Sequence, residues 1–398
     1  MKKNNVFFIL FIFCISILLK SCKSEQKQDF LVLNISLNNI DNLDCISTTK
    51  DKYFKSFRYI QLESDTNILI GKIDKILYEN DRIYIMDSRV TKSLFIFNRE
   101  GEFINKIDYY GQGPNEYMEL TNMFYDSNAK TINILSYVSS KKFKIMVFDT
   151  DGNELLKQIP INLHLSELIK SKDGFYVCNS KHVTNPSSSR NRLTVYSDNF
   201  QKLYDAVPIL PQWENKIESV YDELFMDNNG VVFCSPENTT DVYRITADSA
   251  FLNYHFDFGK HDYPEELNNP GEQEKMIRNF EIANYVTQLC DFYESDNFIV
   301  SLFLFKGTYN IVFYNKLIKK SETYLLLDNP LLTTGFGSSP SIIKNFIITE
   351  RSPDSFLYLF ENPSVLGEDS TEKLKKLFKR PIKEDDNPIL CVYEFAFQ

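Results

Sequence analysis

Residues 81–87 (DRIYIMD), followed by 94–97 (LFIF), are the stretch that decides the fold. A turn residue opens it, a short apolar strand follows, and a second apolar strand comes after a polar gap. The unit recurs. Residues 131–135 (TINIL) go with 145–148 (IMVF), 174–178 (GFYVC) with 193–196 (LTVY), and 230–234 (GVVFC) with 242–245 (VYRI). The last copies are 297–300 (NFIV) with 310–313 (NIVF), and 345–348 (NFII) with 357–360 (LYLF). Anchored on residues 83, 132, 175, 231, 298 and 346, the copies lie 49, 43, 56, 67 and 48 residues apart. Within them the second strand ends 14, 16, 21, 14, 15 and 14 residues after the anchor.

Repeats of roughly 40–50 residues holding several short strands indicate propeller blades. One blade cannot bury both of its faces, so blades pack around an axis and cover one another. The expected fold is all-β: a six-bladed β-propeller of four-stranded blades, with seven blades as the alternative. The turns agree, since Glu100-Gly101, Asp151-Gly152, Asp173-Gly174 and Asn229-Gly230 are hairpin dipeptides. In blade one, 72–77 reads as the first strand and 102–107 as the fourth. The sixth copy lacks an adjacent fourth strand. Residues 57–62 (FRYIQL) and 389–395 (ILCVYEF) remain unpaired, and either would close the ring and remove an exposed edge. Two segments have helical spacing, 272–293 and 370–379. The second is expected to be capped by Ser370 or Asp369 and ended by Pro381. Both read as small helical insertions.

The chain has 398 residues, 44 Lys and Arg against 54 Asp and Glu, and a net charge of −10. An acidic chain is a poor partner for nucleic acid, whose binding rests on cations neutralising phosphates. With 43% hydrophobic and 14% aromatic residues it is too apolar for a disordered protein.

Lys2 and Lys3 precede an apolar run, 6–19, which is too short to span a bilayer. That is the pattern of a secretory signal. Leu19-Lys20-Ser21-Cys22 resembles a bacterial lipobox, with Lys20 departing from the usual small residue. The expected organisation is a lipoprotein signal peptide over 1–21, a lipid anchor and tether over 22–52 with Cys22 lipidated, and the propeller over 53–398. No other stretch is apolar enough to cross a membrane, so acyl chains alone would anchor the protein. Cys178, Cys234 and Cys391 sit in apolar runs and read as small buried hydrophobes. An oxidising compartment would permit one disulfide.

Residues 83–117 (IYIMDSRVTKSLFIFNREGEFINKIDYYGQGPNEY) resemble the NHL-like blade of the six-bladed β-propeller lipoproteins of Bacteroidota. Gly111 to Tyr117 is similar to that family's G-x-G-P-x-E-[YF] signature. Residues 59–63 (YIQLE) and 387–393 (NPILCVY) fit as well. The resemblance covers about residues 55–395. It implies the fold and a lipid-anchored cell-envelope location, with the outer membrane as the expected one, and no particular chemistry.

In the Gly111–Tyr117 stretch, the glycines and proline set backbone shape. Glu116 and Tyr117 are nevertheless candidate ligand contacts at the channel mouth. Asp87, Arg89, Glu350 and Arg351 follow strands of blades one and six; if those blades are neighbours, they converge as a ligand site or as a surface ion pair. Asp149-Thr150-Asp151-Gly152-Asn153-Glu154 lacks the spacing of a calcium loop and reads as a hairpin. His255, Asp257, His261 and Asp262 are donor types without a standard metal spacing. No metal or cofactor is expected. No G-x-S-x-G elbow exists, and the many acids identify no glycosidase pair. The leading expectation is a binding or scaffold protein for a glycan, peptide or protein, alongside an outer-membrane transporter or glycan-uptake proteins. The alternative is an envelope polysaccharide hydrolase or lyase working from the channel mouth. Perturbed carboxylates there would favour the enzyme, and a flat aromatic mouth would favour binding.

Overall fold

The computed structural model describes residues 32–397 apart from 38, 45, 47–49, 140–141, 185–189, 217–221, 268–283 and 327–339. The expected signal peptide, Cys22, Cys45 and residues 272–283 of the first helical segment lie outside the described residues.

Six antiparallel four-stranded sheets form six blades. Blade one is β3 (Lys75–Glu79), β4 (Arg82–Asp87), β5 (Ser93–Asn98) and β6 (Phe103–Ile107). Blade two is β7 (Glu119–Asp126), β8 (Thr131–Ser139), β9 (Lys142–Asp149) and β10 (Leu155–Ile161). Blade three is β11 (Glu167–Lys170), β12 (Tyr176–Asn179), β13 (Asn191–Tyr196) and β14 (Lys202–Pro208). Blade four is β15 (Leu224–Met226), β16 (Val232–Cys234), β17 (Asp241–Ile245) and β18 (Ala250–Asp257), joined by β1 (Leu33–Ser36) along its outer edge. Blade five is β19 (Leu289–Glu294), β20 (Phe298–Phe305), β21 (Thr308–Asn315) and β22 (Lys320–Leu325). Blade six is β23 (Ser341–Ile343), β24 (Phe346–Arg351), β25 (Ile389–Phe395) and β2 (Phe54–Gln61). The innermost strands β3, β7, β11, β15, β19 and β23 touch in that order and return to β3. The ring is closed.

Strand periodicity explains why the repeat is so apolar. Successive side chains of a strand point to opposite faces. Ile83 and Ile85 of β4 therefore enter the seam with blade six, while Tyr84 and Met86 enter the seam with blade two. The core is accordingly six clusters, one per seam. Each buried side chain of this size contributes about 1.5–3 kcal/mol, so stability is spread round the ring.

Blade six corrects the sequence reading. Residues 357–360 are not its next strand. They lie in helix α1 (Pro353–Glu361), where Phe356 and Leu359 are buried and Tyr358 is 58% exposed. Pro353 occupies the first turn, where its missing N–H costs nothing. A four-residue apolar run fits a strand or a helix face equally well. The two strands left over both join this blade: β25 is its third strand and the N-terminal β2 its fourth.

The helical segment expected over 272–293 is also corrected at its end, because 289–293 belong to β19. Helix α2 spans Glu368–Lys375, with Gly367 at its N-cap rather than Ser370 or Asp369. Acids fill its first turn and lysines its last, matching the helix dipole.

Part of the expected tether packs onto the propeller. Leu37 and Ile40 are buried in the seam of blades four and five. Asp41 takes Lys260 Nζ at 2.6 Å, Lys306 Nζ at 3.1 Å and His261 Nε2 at 3.2 Å. The Asp44 carbonyl accepts the Leu325 N–H at 3.0 Å, and Tyr53 stacks on Phe313 at 3.9 Å. The described residues between 33 and 53 thus strap onto blades four, five and six. Cys178, Cys234, Cys290 and Cys391 are free and buried.

The two faces of the ring differ. Turns on one face are two to five residues long, and we call it the turn face. Among the described residues, the opposite face carries 180–184, 190, 209–216, 222–223, 258–267, 284–288, 326, 340 and 352–388. This is the loop face.

Candidate functional site

The six inner strands enclose an axial channel of about 610 Å³. Its loop-face mouth is charged. Lys75 at the start of β3 reaches Asp222, just before β15, at 2.8 Å. Blades one and four are opposite in the ring, so this ion pair crosses the axis. Arg89, Asp74 and Glu350 line the wall on the side of blades one and six. Glu167 and Asp291 line it on the side of blades three and five.

Both of those acids bind the backbone of the next blade. Glu167 accepts the Glu223 N–H at 3.0 Å and the Leu224 N–H at 2.8 Å. Burial pushes its pKa up to about 7, against the pull of Lys181. Asp291 accepts the Ile342 N–H of blade six at 2.6 Å and its own Phe292 N–H at 2.8 Å. Burial pushes it up to about 8. Behind them Glu223 is buried; burial opposes its charge, but the Arg192 guanidinium holds its pKa below the usual range. Arg192 Nη1 contacts its two oxygens at 3.0 and 2.9 Å. At the turn-face end, Glu79 and Lys344 pair at 2.6 Å.

Of the residues singled out from sequence, Arg89 and Glu350 meet in the channel lining. Arg89 is largely exposed and lies 3.5 Å from Asp74. Asp87 is fully buried and points away. Its carboxylate accepts the N–H groups of Gly71, Lys72, Val90 and Thr91, shaping the adjacent loops. Burial opposes its charge, yet these donors keep its pKa low. Arg351 alternates to the other side of β24 and is 4% exposed. Glu116 accepts the Gly113 N–H at 2.7 Å. Tyr117 is buried, and its hydroxyl lies 2.7 Å from the Lys92 carbonyl and 3.1 Å from that of Ile107. Glu116 and Tyr117 build the linker between blades one and two.

Lys75, Glu167, Asp222 and Asp291 escaped sequence reasoning. Their signal is an acid or lysine at or near the start of an innermost strand: Lys75 and Glu167 open β3 and β11, Asp222 lies just before β15, and Asp291 is the third residue of β19. It emerges only once the first strands are placed, because the apolar repeat lies in the second and third strands.

The residues weighed for metals serve local structure. His255 Nδ1 lies 2.7 Å from Asp241. Asp257 and Asp262 accept backbone N–H groups of Gly259 and Phe258. Asp149 accepts the Glu154 N–H at 2.6 Å, which makes 149–154 a hairpin turn. Among the described residues no group of three or more His, Cys, Asp or Glu is placed to hold a metal ion.

Fold and mouth define a six-bladed β-propeller with an ion-bridged axial channel. The chain belongs to the family described as "Domain of unknown function (DUF4934)", whose model matches residues 31–394. Among solved structures it is similar to a Bacteroides fragilis protein assigned as exported. The TM-score is 0.71 at 18% identity, covering 92% of this chain and 100% of that one. It is also similar to a protein of unknown function from Bacteroides caccae, with TM-score 0.39, 10% identity, and 64% and 81% coverage. The extracellular domain of a protein assigned as a hybrid two-component system from Bacteroides thetaiotaomicron matches with TM-score 0.39, 11% identity, and 75% and 36% coverage. No match is found among curated proteins.

Proposed function

We propose that this is an exported, envelope-bound propeller of the NHL-like lipoprotein kind, anchored at Cys22, that binds a polar ligand in its channel mouth. The observation that carries the binding reading is the Lys75–Asp222 pair across the axis. A ligand bearing charges or dense hydroxyls can exchange for that pair, and both partners are partly in water already. The channel is of the size that holds small ligands. A glycan or a peptide segment suits this chemistry. The reading places the protein beside an outer-membrane transporter or glycan-uptake proteins as a binding or scaffold partner.

Calorimetric titration with a panel of neutral oligosaccharides and short peptides tests it. A hit should weaken about tenfold or more in Asp222→Asn or Lys75→Met, as loss of one charged contact implies. A hit indifferent to both variants, or no hit, sinks the reading. Fatty-acid labelling lost in Cys22→Ala, with envelope fractionation, tests the anchor.

One observation favours an enzyme. Glu167 and Asp291, with pKa near 7 and 8, sit in the channel as an acid catalyst would. Against it, both oxygens of Glu167 already hold backbone N–H groups. Polysaccharide cleavage abolished by Asp291→Asn would favour the hydrolase or lyase.

A further inference from the structure

The turn between β21 and β22 differs from its counterparts. Counted from the residue that opens each turn, the equivalent turns carry Glu100-Gly101, Asp151-Gly152, Asn199-Phe200 and Asp248-Ser249, with the Phe200 ring packed on Tyr176. Here the pair is Leu317-Ile318, 74% and 62% exposed. Leu317 is the most exposed large hydrophobic among the described residues. The turn is fixed: Asn315 Oδ1 accepts the N–H of Leu317 at 3.0 Å and of Ile318 at 3.2 Å. Both aliphatic side chains are therefore displayed at little further entropic cost. Lysines flank them. Lys316 is tied to Glu294 at 2.6 Å, and Lys319 and Lys320 are exposed.

We propose that the blade-five corner of the turn face touches a lipid bilayer, with Leu317 and Ile318 inserted at the headgroup boundary and Lys319 and Lys320 on anionic phosphates, while the acidic turns of the other blades stay in water. Apolar tips flanked by snorkelling lysines suit that boundary. Two side chains are too few for a protein interface of roughly 1,000 Å². The strap agrees in direction. Strand β1 runs parallel to β18, from Leu33 beside Tyr254 toward the loop face. The first described strand thus begins at its turn-face end and runs away from that face. In this orientation the channel mouth opens away from the membrane. The inference rests on the envelope location proposed above, but not on lipidation.

The test uses full-length protein carrying Leu317→Trp and vesicles of phosphatidylethanolamine with phosphatidylglycerol. Brominated acyl chains serve as quenchers. The background is Trp213, the sole tryptophan, which is 2% exposed. Emission of Leu317→Trp should shift to the blue and be quenched. Emission of Tyr358→Trp, on the loop face, should not. Leu317→Asp with Ile318→Asp should weaken vesicle binding about tenfold or more at unchanged melting temperature. Vesicles of phosphatidylcholine alone should bind less. Quenching of Leu317→Trp no greater than that of Tyr358→Trp, or no vesicle binding, overturns the proposal. A blue shift that follows protein concentration without lipid also overturns it and identifies a second copy as the occupant. A quenched tip in a protein that fractionates outside the envelope would break the envelope reading and leave the bilayer contact standing.

Discussion

Lys75 and Asp222 form an ion pair 2.8 Å long between opposite blades, across the mouth of the channel. Their side chains are 20% and 44% exposed, so the pair is a wet one. Lys75→Met should therefore cost only about 0–1 kcal/mol of stability, measured by denaturant unfolding. A loss above about 3 kcal/mol would mark it as a buried bridge and end its role as an exchangeable gate.

Asp291 makes stability depend on pH. Its folded pKa is raised from an ordinary 3.8 to about 8. Below the ordinary value both folded and unfolded states hold the proton, and nothing is lost. Between about pH 4 and pH 8 the unfolded chain releases it first, so stability falls as pH rises. Asp291→Asn should flatten this slope. The check is the melting temperature of both proteins at pH 5 and pH 8.5. Parallel curves would refute the buried, protonated carboxyl.

Ring closure predicts unequal glycines. Gly101 has φ +90°, and a Cβ there would lie 2.4 Å from the Gln61 carbonyl of β2. This turn of blade one docks on the N-terminal strand of blade six, where the Glu63 N–H reaches the Gly101 carbonyl at 2.7 Å. Gly307 has φ +73° and open space around it. Gly307→Ala should cost about 1–2 kcal/mol from backbone alone. Gly101→Ala should cost about 3 kcal/mol or more, because the clash adds to that. Equal losses by denaturant unfolding would contradict the docking.

Tyr117 separates structural from ligand roles in the G-x-G-P-x-E-Y stretch. Tyr117→Phe removes the hydroxyl that reaches the Lys92 and Ile107 carbonyls. It should lower stability by about 1–2 kcal/mol and leave binding of any channel ligand unchanged. Weakened binding at unchanged stability would return Tyr117 to the ligand site.

The fold was legible because propeller strands are buried on both sides. In β4 and β5, Ile83, Tyr84, Ile85, Leu94, Phe95 and Ile96 serve two seams at once, which leaves a nearly continuous apolar signature. The candidate site was less legible. Arg89 and Glu350 were found from their places after strands, but Asp87 and Arg351 from the same places turn into the structure. One residue of offset along β24 sends Arg351 to the other side from Glu350, Asp87 ends β4 while Arg89 lies in the turn beyond it, and the sequence carries no mark of which side faces the axis.

Hydrophobic period and positive φ are local properties. The repeat, the two central strands of blades one to five and the glycine turns were therefore legible in the sequence alone, which still left seven blades open beside six. The sequence also carried the two spare strands, yet left open which would close the ring. Tertiary structure settled that both do, with β25 between β24 and β2: the N-terminal β2 finds its ladder partner in β25, more than 300 residues on, while β25 also pairs with β24. It alone turned 357–360 into a helix face, folded part of the tether into a strap, and set Lys75 opposite Asp222. Those outcomes depend on which atoms meet across the ring, and pairing at such distances is fixed by closure rather than by neighbouring residues.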